Sequence, residues 1–290
     1  MIGHERYNEG IDIIRSTITR LEVKTPALHL LHGKLLYFSG RHLEALRALQ
    51  EADNLLGKKI SPIREQLTLT FFSIYEAIGN HDNALTKLES LAQDYTKSKY
   101  LKHLSFKYSE LGREKDQLAI LNLLFDNNKL DHPYEIENLI YLSVKLKNYN
   151  RAASILSKQI KINKEWKNPD KFSYLSQIWL AAKEYDNAVF AMEEACTLSD
   201  AGNYCFELAK QYAFLREWDK CSRSVLISLE KGLPSSQSDK ANLLVGQSLY
   251  NLGQLIAARA YFVSASDTEE TAELARQWIL SIDSDLESEF

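Results

Sequence analysis

The side chains best suited to chemistry in this 290-residue chain are its seven histidines and three cysteines. The histidines fall at His4, His29, His32, His42, His81, His103 and His132, with no His-Glu-x-x-His run and no carboxylate at ligand spacing. His29 and His32 share a helix face at i, i+3, which holds a metal only if a third ligand approaches from elsewhere. Gly33 followed by Lys34 lacks the GxxxxGK[ST] frame of a phosphate loop. No GxSxG elbow is present, and no Cys, His and Asp set has a reason to converge. Carboxylate pairs such as Glu193 and Glu194 read as solvated helix faces. These residues predict no catalytic site, no metal and no cofactor.

Cys196, Cys205 and Cys221 gather in one third of the chain at spacings unlike any CxxC motif. Free, buried thiols are the first expectation. In an oxidising compartment two of the three could pair and leave one over.

The elements that would carry these residues are helices. Only 11 Gly and 5 Pro punctuate the chain, too few breakers for a sheet-rich fold. Lys and Arg number 35 against 39 Asp and Glu. With no overall positive field, nucleic acid is not an expected partner. No apolar stretch reaches 18 residues, and the first residues lack a basic head followed by an apolar run, so membrane insertion is not expected either.

A repeat organises the helices. Gly33, Leu36, Gly40, Ala45, Leu49 and Ala52 stand at positions 8, 11, 15, 20, 24 and 27 of a 34-residue frame, and Gly246, Leu249, Gly253, Ala258, Phe262 and Ala265 repeat the set. These are the signature positions of the tetratricopeptide (TPR) repeat, which the chain resembles. Small residues at 8 and 20 let helices A and B of a unit approach, bulky ones at 11 and 24 fill the gap, and position 15 ends helix A. Looser copies carry Ala84, Gln117, Ala152, Ala188 and Cys221 at position 20, and the seven markers are spaced by 39, 33, 35, 36, 33 and 37 residues. Some copies depart from a small position 8, as at Phe72 and Ile140. Tyr149, Tyr185, Trp218 and Leu255, at position 17, open helix B. His29 and His32 occupy positions 4 and 7, which pack inside.

The predicted fold is therefore all-α, a right-handed α-α superhelix of about seven repeats. Residues 1–25 form an N-terminal half-repeat, a helix B with Tyr7, Gly10 and Ile14 at positions 17, 20 and 24. The repeats span 26–270, and 271–290 form a capping helix and acidic tail in which Leu274, Trp278 and Ile282 cover the last unit. A helix B with no helix A before it predicts further repeats upstream of Met1.

In such a superhelix the inner wall is made by helix A positions 2, 5, 9, 12 and 13, and it takes a peptide or helix from another protein. Candidate partner-binding residues at those positions are Lys34, Tyr37 and Phe38; Lys102 and Phe106; Tyr141 and Lys145; Gln177; Phe206, Lys210 and Phe214; and Gln247, Tyr250 and Asn251. Aromatic anchors mixed with Lys, Gln and Asn match the make-up of interaction surfaces. The asparagines of the carboxylate-clamp TPR domains are missing at the matching places. The expected function is a protein-interaction scaffold and not an enzyme.

Across Ser90–Ile282, in the runs Tyr100–Leu130, Tyr174–Lys220 and Leu243–Ser266 and the segment Arg276–Ile279, the chain is similar to the TPR protein encoded with TonB, ExbB and ExbD energy-transduction systems of marine gamma-proteobacteria. That resemblance implies a signal peptide, a periplasmic location, and a partner among the TonB, ExbB and ExbD components in TonB-dependent uptake of iron chelates. A cytoplasmic TPR adaptor or assembly factor is the alternative.

Overall fold

A computed structural model describes residues 2–21, 25–57 and 59–288. Among these the chain is all helix, sixteen α-helices and one short 3-10 turn with no strand. It divides into two compact units, Met1–Leu139 and Ile140–Phe290. The first holds α1 (Ile2–Leu21), α2 (Pro26–Phe38), α3 (His42–Leu56), α4 (Pro62–Ala77), α5 (His81–Asp94), α6 (Ser98–Glu110) and α7 (Glu114–Asp126). Helix α8 (Pro133–Lys145) carries the boundary. The second holds α9 (Tyr149–Ile162), α10 (Pro169–Ala181), α11 (Tyr185–Leu198), α12 (Asn203–Phe214), α13 (Trp218–Glu230), α14 (Ser235–Asn251), α15 (Leu255–Ser264) and α16 (Glu269–Ser288).

Even-numbered helices from α2 to α14 are the A helices of the frame and the following odd-numbered ones the B helices. Each A helix ends the same way. Position 15 has positive φ in all seven units, at Gly40, Gly79, Gly112 and Gly253 and also at Lys147, Lys183 and Arg216. The next amide then bonds the carbonyl five residues back, as in Arg41 to Leu36, Glu184 to Trp179 and Gln254 to Leu249, each at 2.9 Å. This is the bond of a left-handed helix terminus, and it satisfies a carbonyl the helix leaves open. The B helix starts two residues after the turn, so position 17 opens it as expected.

The B-to-A junctions use another device. All five prolines lie at the start of an A helix: Pro26, Pro62, Pro133 and Pro169 are first residues, and Pro234 is the cap of α14. Thr25, Ser61 and Asn168 stand before three of them and accept the amides of Leu28, Arg64 and Lys171 through their side chains. A polar cap followed by proline at the first turn satisfies one exposed amide and removes another.

With both ends set, the repeat positions meet. A Cβ on Gly33 would stand 2.5 Å from Leu49 Cδ2, and one on Gly246 would stand 2.8 Å from the Phe262 ring. Position 8 therefore presses against position 24. Ala45, Leu49, Ala52, Ala258, Phe262 and Ala265 have no exposed surface. Burying one leucine or phenylalanine of this kind contributes about 1.5–3 kcal/mol. At Phe72 a large position 8 is accommodated by packing beside Leu85, Leu88, Leu104 and Tyr108.

Helix α1 behaves as a B helix. Ile11 and Ile14 are buried, and Gly10 lies against Leu35 of α2. Helix α16 lays Trp278 flat on Phe262, with ring centroids 5.5 Å apart, and buries Ala275 and Ile282. Leu274, expected in that contact, is exposed instead. The covering stripe runs through Thr271, Ala275, Trp278 and Ile282, and Leu274 lies one residue off it. The last two residues of the acidic tail lie outside the described residues.

The cysteines also differ from expectation. Cys196 at the end of α11 and Cys205 in the first turn of α12 form a disulfide, with Cα atoms 4.6 Å apart. Cys221 is the free, buried thiol, and burial pushes its pKa up. The helical frame draws attention to Cys205 and Cys221 inside one unit, whereas the bond crosses the tight turn between two units. That turn is crowded. A Cβ on Gly202 would lie 2.1 Å from the Ser228 carbonyl, and Lys231 Nζ donates to the carbonyls of Cys196 (2.6 Å) and Ser199 (2.7 Å).

The left-handed turns yield a test. A non-glycine residue in this region carries a cost of about 1–2 kcal/mol, and Lys183 is exposed. Lys183→Gly is expected to raise stability by about 1 kcal/mol, read as a higher urea midpoint at unchanged slope. A lower midpoint would refute the turn geometry.

Candidate functional site

The frame assigns each helix A position a surroundings, and the candidate residues sort by position. Position 9 points outward: Phe106 is 65% and Tyr141 58% exposed, and Gln177 and Lys210 are exposed beside their neighbours. Position 13, one turn later, does the same, with Phe38 55% and Phe214 66% exposed and Lys145 and Asn251 also at the surface. Position 12 is half-buried at Tyr37 and Tyr250.

Position 5 is buried at Leu30 and Phe206, half-buried at Lys102 and exposed at Glu137. Phe206, taken from the sequence as a binding residue, is only 3% exposed, and Lys210 Nζ caps its ring at 4.5 Å. Its aromatic face is used by packing. Lys102 is also committed, bonding Asp131 at 2.8 Å and Glu135 at 2.9 Å. Burial works against its charge, but the two carboxylates outweigh that and raise its pKa. Tyr250 is held by Asp285 at 3.0 Å and by the edge of Trp278. Gln247 accepts from the Asn251 side chain through its main-chain carbonyl at 2.8 Å.

In the first unit the outward residues gather. Lys34, Tyr37 and Phe38 of α2 face Gln66, Leu69, Thr70 and Ser73 of α4 across a cavity of about 240 Å³. Lys34 Nζ donates to Gln66 Oε1 at 2.9 Å, and Phe38 stacks on Tyr7 of α1 with centroids 5.7 Å apart. Three of the α4 residues are positions 2, 5 and 9 of their own unit. Their side chains are too short and mixed to stand out in the sequence, although the frame names them. In the second unit Phe214 packs its ring against Tyr185, 5.3 Å away, and keeps its outer face open.

Adjacent A helices are tied by polar bonds at close to one repeat period. Glu65 takes Lys97 (2.6 Å) and the Tyr100 hydroxyl, Lys107 bonds Glu76 at 2.7 Å, Gln211 bonds Ser176 at 2.9 Å, and the Tyr204 hydroxyl bonds Asp170. The Lys97 and Tyr100 bonds hold the Glu65 carboxyl below the usual carboxylate range. The Tyr108 hydroxyl, desolvated and bonded to Glu89, is pushed up to about 12. Each of these groups is matched with a partner on a neighbouring helix or at its cap, a pattern of structural linkage. Among the described residues no group of three His, Cys, Asp or Glu is placed to hold a metal, and no helix is long and apolar enough to cross a membrane.

No family model matches the chain, and no curated protein matches it. Solved structures do. A chain of the Naa15/Naa10 complex bound to HypK-THB matches with a TM-score of 0.54 at 14% identity, over 95% of this chain and 42% of that one. The C-terminal part of a TPR repeat-containing protein from Cytophaga hutchinsonii matches with a TM-score of 0.47 at 15% identity, over 86% of this chain and 99% of that one. MamA (AMB-1) matches with a TM-score of 0.44 at 18% identity, over 60% and 92%. The likeness is one of fold. Together with the seven identical A-to-B turns, it makes this a TPR-type helical repeat protein.

His29 and His32 lie inside, as their positions predict. His29 is 8% exposed, and the Nε2 atoms of both are buried without a hydrogen-bond partner. Burial, then the charges of Arg15, His29 and Arg41, lower the His32 pKa below its ordinary 6.5, with Glu44 opposing. The folded state thus binds fewer protons than the unfolded one just below pH 6.5, and stability falls as pH drops through that window. In urea unfolding at pH 7.5 and 5.0, His32→Gln is expected to lose less stability on acidification than the wild type. An equal loss in both would remove His32 as a cause.

Proposed function

We propose that the chain is a protein-binding scaffold, and that within each of its two units the outward positions 9 and 13 of the A helices hold a segment of a partner. The observation that carries this reading is the exposure of Phe38, Phe106, Tyr141 and Phe214, each more than half open to solvent at these two positions. An aromatic ring left in water at the same repeat positions on four of the A helices is the composition of an anchor, since burying it on binding removes apolar surface from water. Neutral groups that adapt to a peptide main chain, Gln66, Gln177 and Asn251, stand at the same positions as these rings or on the facing helix. The Naa15/Naa10 complex, one chain of which shares this fold, is bound to HypK-THB, a precedent for protein partners on this architecture. A scaffold role agrees with titratable groups that are paired for structure.

The setting we propose is the periplasm, and the partner a TonB, ExbB or ExbD component in iron-chelate uptake. The sequence resemblance is the basis for this, and the Cys196–Cys205 disulfide supports it, because such bonds persist in oxidising compartments and are rare in the cytosol. With Phe206 committed to the core, the variant that tests the scaffold is Phe38→Ala/Phe106→Ala/Phe214→Ala. Co-purification with the TonB–ExbB–ExbD complex is expected to fall about tenfold or more, with an unchanged thermal transition. Equal recovery would sink the binding face, and no recovery by the wild type would sink the partner.

A further inference from the structure

On the side formed by the B helices, a groove runs between neighbouring B helices with the intervening A helix as its floor, through positions 4, 7 and 11. Three such grooves are well formed and differ in chemistry. Over α2 the floor is His29, His32 and Leu36, and Arg15, Glu44 and Arg47 stand at the walls. Over α4 the opening is lined by Asp53, Arg64, Lys87 and Asp94, with Arg64 paired to Asp53. Over α10 the floor is Phe172, Leu175 and Trp179. This third groove lies within the second unit and encloses about 900 Å³.

Its rim is as unusual as its floor. Phe190 on α11 and Ile162 at the end of α9 are 63% and 68% exposed, facing the groove from its two walls. Lys161 stands on α9, and Lys167 stands just after the 3-10 turn Lys164–Trp166 that links α9 to α10. Glu194 stands on the α11 side. A polar floor or a charge-bridged rim costs nothing to leave in water, whereas two large apolar side chains above an aromatic floor gain from being covered. The walls are helices of 14 residues each, so the groove extends over roughly 21 Å. Its length matches a helix laid lengthwise, and the charges on its two sides set which helix.

We propose that this groove is a second docking site, distinct from the helix A face, for an acidic amphipathic helix of a partner protein. The apolar face of that helix rests on Trp179, Phe190 and Ile162. Its carboxylates meet Lys161 and Lys167, and a basic residue on its other flank meets Glu194, which fixes the direction of entry.

The probe is a fluorescein-labelled Leu/Ala/Glu helix of about 14 residues, the length of the walls, with Leu on one face and Glu along one flank. It is read by anisotropy alongside a twin with Lys in place of Glu. The full chain is expected to bind the Glu peptide and to prefer it over the Lys twin. Phe190→Glu should weaken binding about tenfold or more, and Phe214→Ala should leave it unchanged. Lys161→Glu/Lys167→Glu should reverse the preference, a result that stands even if Phe190→Glu fails to fold. The proposal is overturned if the wild type does not distinguish the two peptides, if the charge reversal leaves the preference in place, or if phosphatidylglycerol vesicles bind where the Glu peptide does not.

Discussion

The hydrogen bond from position 16 back to position 11 is the constraint on which the other contacts rest. It forms only when position 15 turns left-handed, and it ends the A helix at one defined residue. The B helix then starts two residues later and returns along the A helix in one register. Only in that register does Gly33 meet Leu49 and Gly246 meet Phe262, at distances a methyl group would violate. A shift of one residue would put His32 or Lys34 in place of Gly33, and Val245 or Gln247 in place of Gly246. The turn is local, but it selects which residues of two helices share a core.

The turn also explains how the repeat survives loose sequence. Four units have glycine at position 15, where left-handed φ is free of strain, and three have Lys or Arg. Those three hold the same geometry at some cost, offset by the hydrophobic contacts that the register makes possible. Ala188, Met192 and Ala195 in one unit, and Ala209, Tyr212 and Val225 in the next, are buried as fully as their counterparts beside the glycine turns. Units of this kind gain stability from neighbours, so an imperfect turn is carried by the helices stacked on it.

Much of the fold was legible because periodic positions have one physical job each. Small residues at 8 and 20 and a bulky opener at 17 can be counted along a chain, and the helices begin where Tyr149, Tyr185, Trp218 and Leu255 predict. The site was less legible. Inner-wall positions look equivalent in the repeat frame, yet Phe206 at position 5 is buried in packing, while Leu69 at position 5 and Ser73 at position 9 of α4 line the cavity beside Lys34. Helix periodicity alone does not separate them, because residues four apart lie on one face of a helix. The Cys196–Cys205 bond escaped for a different reason. It depends on the close turn at Gly202, where the amide bonds the Gly232 carbonyl at 3.2 Å, a contact between junctions that no position within one repeat encodes.

Register and surface are under separate control, and that separation gives these helices room for function. Positions 8, 20 and 24 are held by contacts within a unit, so the floor positions 4 and 7 on the B side are free to change character. They hold His29 and His32 in one unit and Phe172 and Leu175 in another, all four largely or partly withdrawn from water. The histidine pair leaves two buried nitrogens without partners, a cost the fold carries at that place. The apolar pair carries no such cost in its floor, but the rim above it leaves Phe190 and Ile162 in water. Had the rim served stability alone, charged side chains would have done as well there, as they do over α4. The same reasoning applies to Phe38, Phe106 and Phe214 on the A side. In both places apolar surface stands outside a core already complete without it, and the proposed partners are what would cover it.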